Sequence, residues 1–149
     1  MLSYDNRWTL HAGNRPSLAW IPGLCLLAGL ALPGCGDPNT AFNVGTALSR
    51  ARQTNQIVLV EFWGLEQACS RMDSDVYPHP MVRRDLEDFI RVRTSYAFRR
   101  DTARSLGITA APGFAALRPD GSLIAAKMGY MDRDTFRQFL IRAKIFFRQ

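Results

Sequence analysis

At 149 residues and 47% hydrophobic content, the chain has room for one globular domain with a substantial core, and nothing in it suggests a second. Its formal net charge of +6 comes from 19 basic residues, nearly all arginine, scattered along the sequence. No basic run is interleaved with aromatics, so the charge describes a solvated cationic surface and argues against nucleic-acid binding.

The N-terminal segment differs in kind from the rest. Met1 to Ser17 is polar and carries Arg7 and Arg15, and Leu18 to Leu32 (LAWIPGLCLLAGLAL) is an uncharged apolar run closed by Pro33, Gly34 and Cys35. Together they have the three parts of an export signal, residues 1–34. The run falls short of the ~20 residues that a bilayer-spanning helix needs, and Pro22, Gly23 and Gly29 weaken it further, so cleavage is expected. Leu32-Pro33-Gly34-Cys35 resembles a bacterial lipoprotein box, although Pro33 departs from the small residue usual there. The resemblance implies lipidation at Cys35, which would begin the mature chain with two acyl chains, the number that stable anchoring takes. An ordinary signal-peptidase site and an uncleaved signal anchor are the alternatives. Residues 35–40 then form a short tether, and a domain of residues 41–149 is expected to sit at the periplasmic side of a bacterial envelope membrane, as a monomer. Loss of Cys25 with the signal and of Cys35 to lipid leaves Cys69 as the one free thiol, which excludes an internal disulfide.

The remaining elements follow in chain order. Ala41 to Gln53 places Phe42, Val44, Ala47, Leu48 and Ala51 at helical spacing, and Thr54-Asn55-Gln56 stops the helix. Ile57 to Trp63 (IVLVEFW) has the β-branched and aromatic character of a strand covered on both faces. Gly64 to Gln67 reads as a loop, and Ala68 to Val76 as a helix with Cys69, Met72 and Val76 on one face, broken by Pro78 and Pro80. A second helical piece spans Met81 to Phe89, a half-exposed strand Ile90 to Ser95, and a short helix Asp101 to Leu106, capped by Asp101 and closed at Gly107. Phe114–Leu117 and Ser122–Met128 form a hairpin around Pro119-Asp120-Gly121, and a last helix, capped by Asp132 or Asp134, carries an apolar stripe of Phe136, Phe139, Leu140, Ala143 and Phe147. The order α-β-α-β-α-β-β-α predicts a mixed central sheet between layers of helices.

Three local patterns in this order resemble the thioredoxin-like superfamily over roughly residues 41–147. Val60-Glu61-Phe62-Trp63-Gly64 resembles the strand that leads into its redox site. Cys69 to Tyr77 (CSRMDSDVY) resembles the second site cysteine and its helix, and Gly107-Ile108-Thr109-Ala110-Ala111-Pro112 the loop with a cis proline. The resemblance implies a three-layer α/β sandwich and a site built from Cys69, Glu61 beneath it, and a groove of Trp63, Glu66, Ala111 and Pro112. It also marks a departure, because Glu66 stands where the attacking cysteine belongs and a carboxylate cannot attack a disulfide; aligned without gaps from Phe62, Gln67 and Ser70 take the two cysteine places instead, and neither register holds a CxxC pair.

A dithiol cycle needs one thiol to attack and a second to resolve, so this chain can complete at most half of it. Cys69 near a helix N-terminus is a candidate nucleophile, with Arg71 close enough in sequence to assist, whereas apolar burial would disfavour its thiolate. Glu61 is either surviving acid–base chemistry or a strand-end residue reaching solvent. With one thiol and His79 alone among histidines of the mature chain, a zinc site lacks ligands, and no cofactor-binding motif is present. The reading is a tethered, exported domain without dithiol activity that binds a polypeptide partner through the cis-proline groove. A monothiol oxidoreductase or isomerase using Cys69 on a protein thiol or disulfide, and a structural accessory subunit of an envelope complex, are the alternatives.

Overall fold

The computed structural model describes residues 43–149, so the export signal, Cys35, the tether and the first two residues of the expected N-terminal helix lie outside the described residues. Helix α1 spans Val44–Thr54. It begins where the Asn43 side chain accepts the Thr46 N–H at 2.8 Å, and it ends at Asn55, whose φ of +53° is a left-handed conformation that asparagine tolerates. Strand β1, Ile57–Trp63, has the predicted bounds and is buried except at Trp63.

Strand β2 (Phe89–Ser95) runs parallel to β1, while β3 (Gly113–Leu117) is antiparallel to β1 and β4 (Leu123–Met128) antiparallel to β3. The order is β2-β1-β3-β4, a four-stranded mixed sheet with β1 and β3 central. Alternation along β1 divides the interior in two. Val58, Val60 and Phe62 face a core shared with Ala47 and Ala51 of α1 and Ala103 of α4 (Arg100–Ser105). Ile57 and Leu59 face the opposite core, which takes in Val82 and Leu86 of α3 (Pro80–Leu86) and Phe136, Phe139, Leu140 and Ala143 of α5 (Arg133–Phe147). Phe114 and Phe136 meet there with ring centroids 5.2 Å apart. Each fully buried phenylalanine contributes ~1.5–3 kcal/mol, which makes this cluster a large part of what folds the domain.

Several expected boundaries move, each for a physical reason. Gln67 belongs to helix α2 (Gln67–Arg71), whose first turn bonds the Cys69 N–H to the Glu66 carbonyl at 2.9 Å. The next turn, Met72–Val76, is a π turn, with the Tyr77 N–H reaching the Met72 carbonyl at 3.0 Å. The helix expected over Met81–Phe89 stops at Leu86, because Phe89 pairs with Ile57 at the start of β2. Helix α4 starts one residue early, leaving Asp101 inside its first turn instead of capping it. Ser122 stays in the turn before β4, and Asp132 caps α5 by accepting the Thr135 N–H at 2.7 Å. Helix α3 has an unforeseen cap, the His79 Nδ1 accepting the Met81 N–H at 3.3 Å. No helix among the described residues is long and apolar enough to cross a membrane.

Candidate functional site

Strand β1 delivers its last residues to one end of the sheet, where the chain turns into α2. Gly64 makes the turn. A Cβ there would collide with the Glu66 carboxylate, which folds back over the glycine. Glu66 occupies the N-cap position of α2 without capping it; its carboxylate oxygen lies 3.8 Å from Cys69 Sγ instead. Cys69 is 1% exposed, and its sulfur accepts the Gly64 N–H at 3.4 Å.

The thiol is therefore held in its neutral form. Burial pushes its pKa above the ordinary 9.0, and the negative charges of Glu66 and Asp73 add to that, outweighing the Gly64 N–H, which favours the thiolate. Arg71 gives no assistance: its guanidinium lies 4.0 Å over the Tyr130 ring and pairs with Asp75 at 3.8 Å. Cys69 is the free cysteine of the described residues.

Glu61 lies deeper in β1 and does not reach solvent; its exposure is 0%. Parallel pairing with β2 sets Arg93 directly across from it and Arg91 across from Leu59. Arg93 Nε donates to one carboxylate oxygen at 3.0 Å and Arg91 Nη2 to the other at 3.1 Å. The polar neighbours of the Cys69 thiol are thus Gly64 and Glu66, whereas the buried acid is matched by two guanidinium groups. Beside this network the Tyr77 hydroxyl is buried without a partner in hydrogen-bonding geometry among the described residues. Burial first, and then Glu61, raise its pKa well above the usual 10.0. Arg93 is the hub, bonded also to Asp73 at 2.9 Å and stacked 3.9 Å over the Trp63 ring. Its neighbouring carboxylates raise its pKa above the ordinary guanidinium value despite partial burial.

The four groove residues named from sequence divide into two pairs. Trp63 and Glu66 line a cleft of about 690 Å³ between the loops that follow β1 and β2, together with Leu65, Tyr96, Phe98 and Arg100. Ala111 and Pro112 are not among its lining residues. The bond between them is cis, and because Phe62 pairs with Gly113, Pro112 comes one step beyond that pair, opposite Trp63 on the side away from β2. The Pro112 carbonyl accepts the Gly129 N–H at 2.8 Å, so part of its backbone is already committed within the domain. The Tyr96 hydroxyl donates to the Thr109 carbonyl and so ties the cleft wall to the loop that carries Pro112.

Sequence reasoning missed Leu65, Tyr96 and Phe98. A signal existed for Phe98: an aromatic residue in a loop, followed directly by Arg99 and Arg100, lies outside every apolar stripe of the neighbouring elements. Among the described residues no group of three His, Cys, Asp or Glu side chains is placed to hold a metal ion.

No protein-family model matches the chain. None of the curated proteins matches it either. Solved structures do. A thioredoxin from Thermus thermophilus is 23% identical with a TM-score of 0.62, over 70% of this chain and 85% of that one. The C-terminal domain of DsbD from Neisseria meningitidis in its oxidised form is 17% identical with a TM-score of 0.56, over 66% and 90%. A disulphide isomerase from Xylella fastidiosa Temecula1 is 16% identical with a TM-score of 0.58, over 68% and 88%. At these identities the likeness is one of architecture, in keeping with the mixed sheet and flanking helices. The chain has the thioredoxin-like fold.

Proposed function

We propose that this chain is a polypeptide-binding domain of thioredoxin-like fold without dithiol chemistry, exported and held at an envelope membrane through lipid on Cys35. One observation carries the redox-silent part. The residue three places before Cys69 is Glu66, with its carboxylate 3.8 Å from a buried sulfur, where a resolving or attacking partner would have to be a second thiol. The solved structures that resemble it include a disulphide isomerase and the oxidoreductase DsbH, and this site departs from the paired thiols that dithiol exchange requires. A monothiol mechanism is disfavoured by the same geometry. Sγ would have to attack a substrate disulfide as the thiolate and expel the other sulfur, yet it is buried and its pKa is raised.

The test uses the full chain extracted in detergent from an expressing bacterium. Reduction of insulin disulfides should proceed no faster than with an equal concentration of free thiol, and sustained turnover would overturn the redox-silent reading. Intact mass should show a chain beginning at a diacylated Cys35, with Cys35→Ser remaining unprocessed or soluble. An unlipidated mature chain would remove the tether from the proposal.

A further inference from the structure

The cleft beside Trp63 has two properties that bear on what it would hold. It is mainly apolar, and its two most exposed walls are large hydrophobic side chains, Leu65 at 103% and Phe98 at 88% exposure. A folded chain gains nothing from leaving such residues fully in water at the mouth of a concave surface. Its floor is fixed, since Trp63 is stacked under Arg93, and Arg93 is in turn held by Glu61 and Asp73.

The rim beside Phe98 is cationic. Arg100 lines the cleft and forms no ion pair among the described residues, and the other arginine of the lining, Arg93, is held by Glu61 and Asp73. Arg100 lies 6.0 Å over the Tyr96 ring, at the edge of the cleft. Across the cleft, Glu66 turns its carboxylate towards Cys69 and Gly64.

Resting on the polypeptide-binding reading above, we propose that this cleft seats one large apolar side chain of an extended polypeptide, with an acidic residue of the same segment against Arg100. Apolar walls supply the anchor, and the unpaired guanidinium supplies the sign of the flanking charge. A second copy of this chain fits less well, because facing clefts would bring the Arg100 of one copy against the Arg100 of the other. A flat anionic lipid surface would leave the concave floor at Trp63 unfilled.

Trp63 is itself the reporter. The other tryptophans are Trp8 and Trp20, so the full chain carrying Trp8→Phe and Trp20→Phe emits from the cleft alone. Short acetylated peptides with a central phenylalanine flanked by glutamates should shift and saturate that emission. Replacing the phenylalanine by alanine in the peptide, or Phe98→Ala or Leu65→Ala in the protein, should weaken binding about tenfold. These two side chains are solvent-exposed, so their truncation leaves the fold intact, which a urea midpoint verifies. Arg100→Glu should reverse the preference between glutamate- and lysine-flanked peptides.

Equal affinity for both flanking charges, or unchanged affinity in Phe98→Ala and Leu65→Ala, would overturn the proposal. If binding survives there but is lost in Met128→Ala, whose sulfur accepts the Thr109 N–H beside the Pro112 loop, the polypeptide-binding reading stands and this cleft does not. If no peptide of either charge binds, both fall. A Trp63 response to phosphatidylglycerol vesicles or to protein concentration alone, equal to that with peptide, would also overturn the choice of occupant.

Discussion

A carboxylate with no route to water is costly inside a sheet unless its charge is met, and at Glu61 two guanidinium groups meet it. Removing both, in Arg91→Met with Arg93→Met, strands the charge and should cost ~3–5 kcal/mol in urea unfolding. Either single change should cost less, because the remaining arginine still reaches the carboxylate. Glu61→Gln should also cost less than the double change, because Arg91 and Arg93 are 23% and 37% exposed and water can take over their solvation. At Cys69 the prediction concerns pH. The folded thiol has a pKa raised above 9.0, so its alkylation should be slow at neutral pH and accelerate only in a range above that of a free thiol. Glu66→Gln, by removing a nearby negative charge, should move the profile down. The linkage has a definite sign: the thiol's contribution to stability is intact below pH 9.0 and is lost as pH rises through the higher folded value, a slope that Cys69→Ala should abolish in unfolding measurements. From the sequence, Cys69 could be placed on the inward face of its helix, because i, i+3, i+7 spacing with Met72 and Val76 is local information. The partners of Glu61 could not, because they arrive through the register of β2 against β1, some thirty residues along the chain.

Caps and strands show the same division at the next scale. Asn43→Ala removes the side chain that accepts the Thr46 N–H and should destabilise the domain by ~1 kcal/mol, measured as a fall in the urea midpoint. Asp132 does the same for α5 with a titrating group. The Thr135 N–H lowers its pKa below 3.8, so its stabilisation is present above that pH and fades as acid takes it through the depressed folded value; Asp132→Ala should flatten this part of the acid-unfolding curve. Strand β1 is legible to the residue because an apolar run bounded by Gln56 and Gly64, rich in β-branched and aromatic residues and interrupted only by Glu61, has few other uses. Helix α3 is overextended in sequence because nothing local says that Phe89 will be drawn into a parallel ladder with Ile57. The π turn at Met72–Val76 has no periodic signature of its own, since widening one turn leaves Met72 and Val76 in the core, where an ordinary helix would also put them.

For the molecule as a whole, the order of elements and the sandwich follow from alternating apolar patterns, and the proposed absence of dithiol chemistry turns on Glu66. Glu66 and Cys69 are separated by one helical turn, and Cα atoms so spaced, ~5 Å apart, lie within the range a disulfide spans. Glu66→Cys should therefore form an internal disulfide when oxidised glutathione accepts the two electrons, each thiol releasing a proton and one glutathione disulfide becoming two thiols. The variant should then reduce insulin disulfides faster than the natural chain does under the same conditions. A Glu66→Cys chain whose thiols stay separate under oxidised glutathione, by intact mass, would mean that more than this one residue has been lost. What the sequence left hidden at this scale was the cleft, because its walls come from loops after different strands that only the fold brings together.

Strand β4 sits at the margin of the sheet, and its six residues, Leu-Ile-Ala-Ala-Lys-Met, include a single charge. Leu123 and Met128 at its ends are 46% and 42% exposed. An uncharged version of that stretch would be a short, β-prone template open to another molecule's backbone. Lys127 interrupts it, and the register shift at Ala116/Leu117 bends the adjoining ladder. Solubility at high local concentration, such as crowding on a two-dimensional membrane would produce, then rests disproportionately on one ammonium group. Lys127→Val should leave the urea midpoint nearly unchanged yet produce light scattering that grows with protein concentration and time, a failure of colloidal behaviour without a failure of folding.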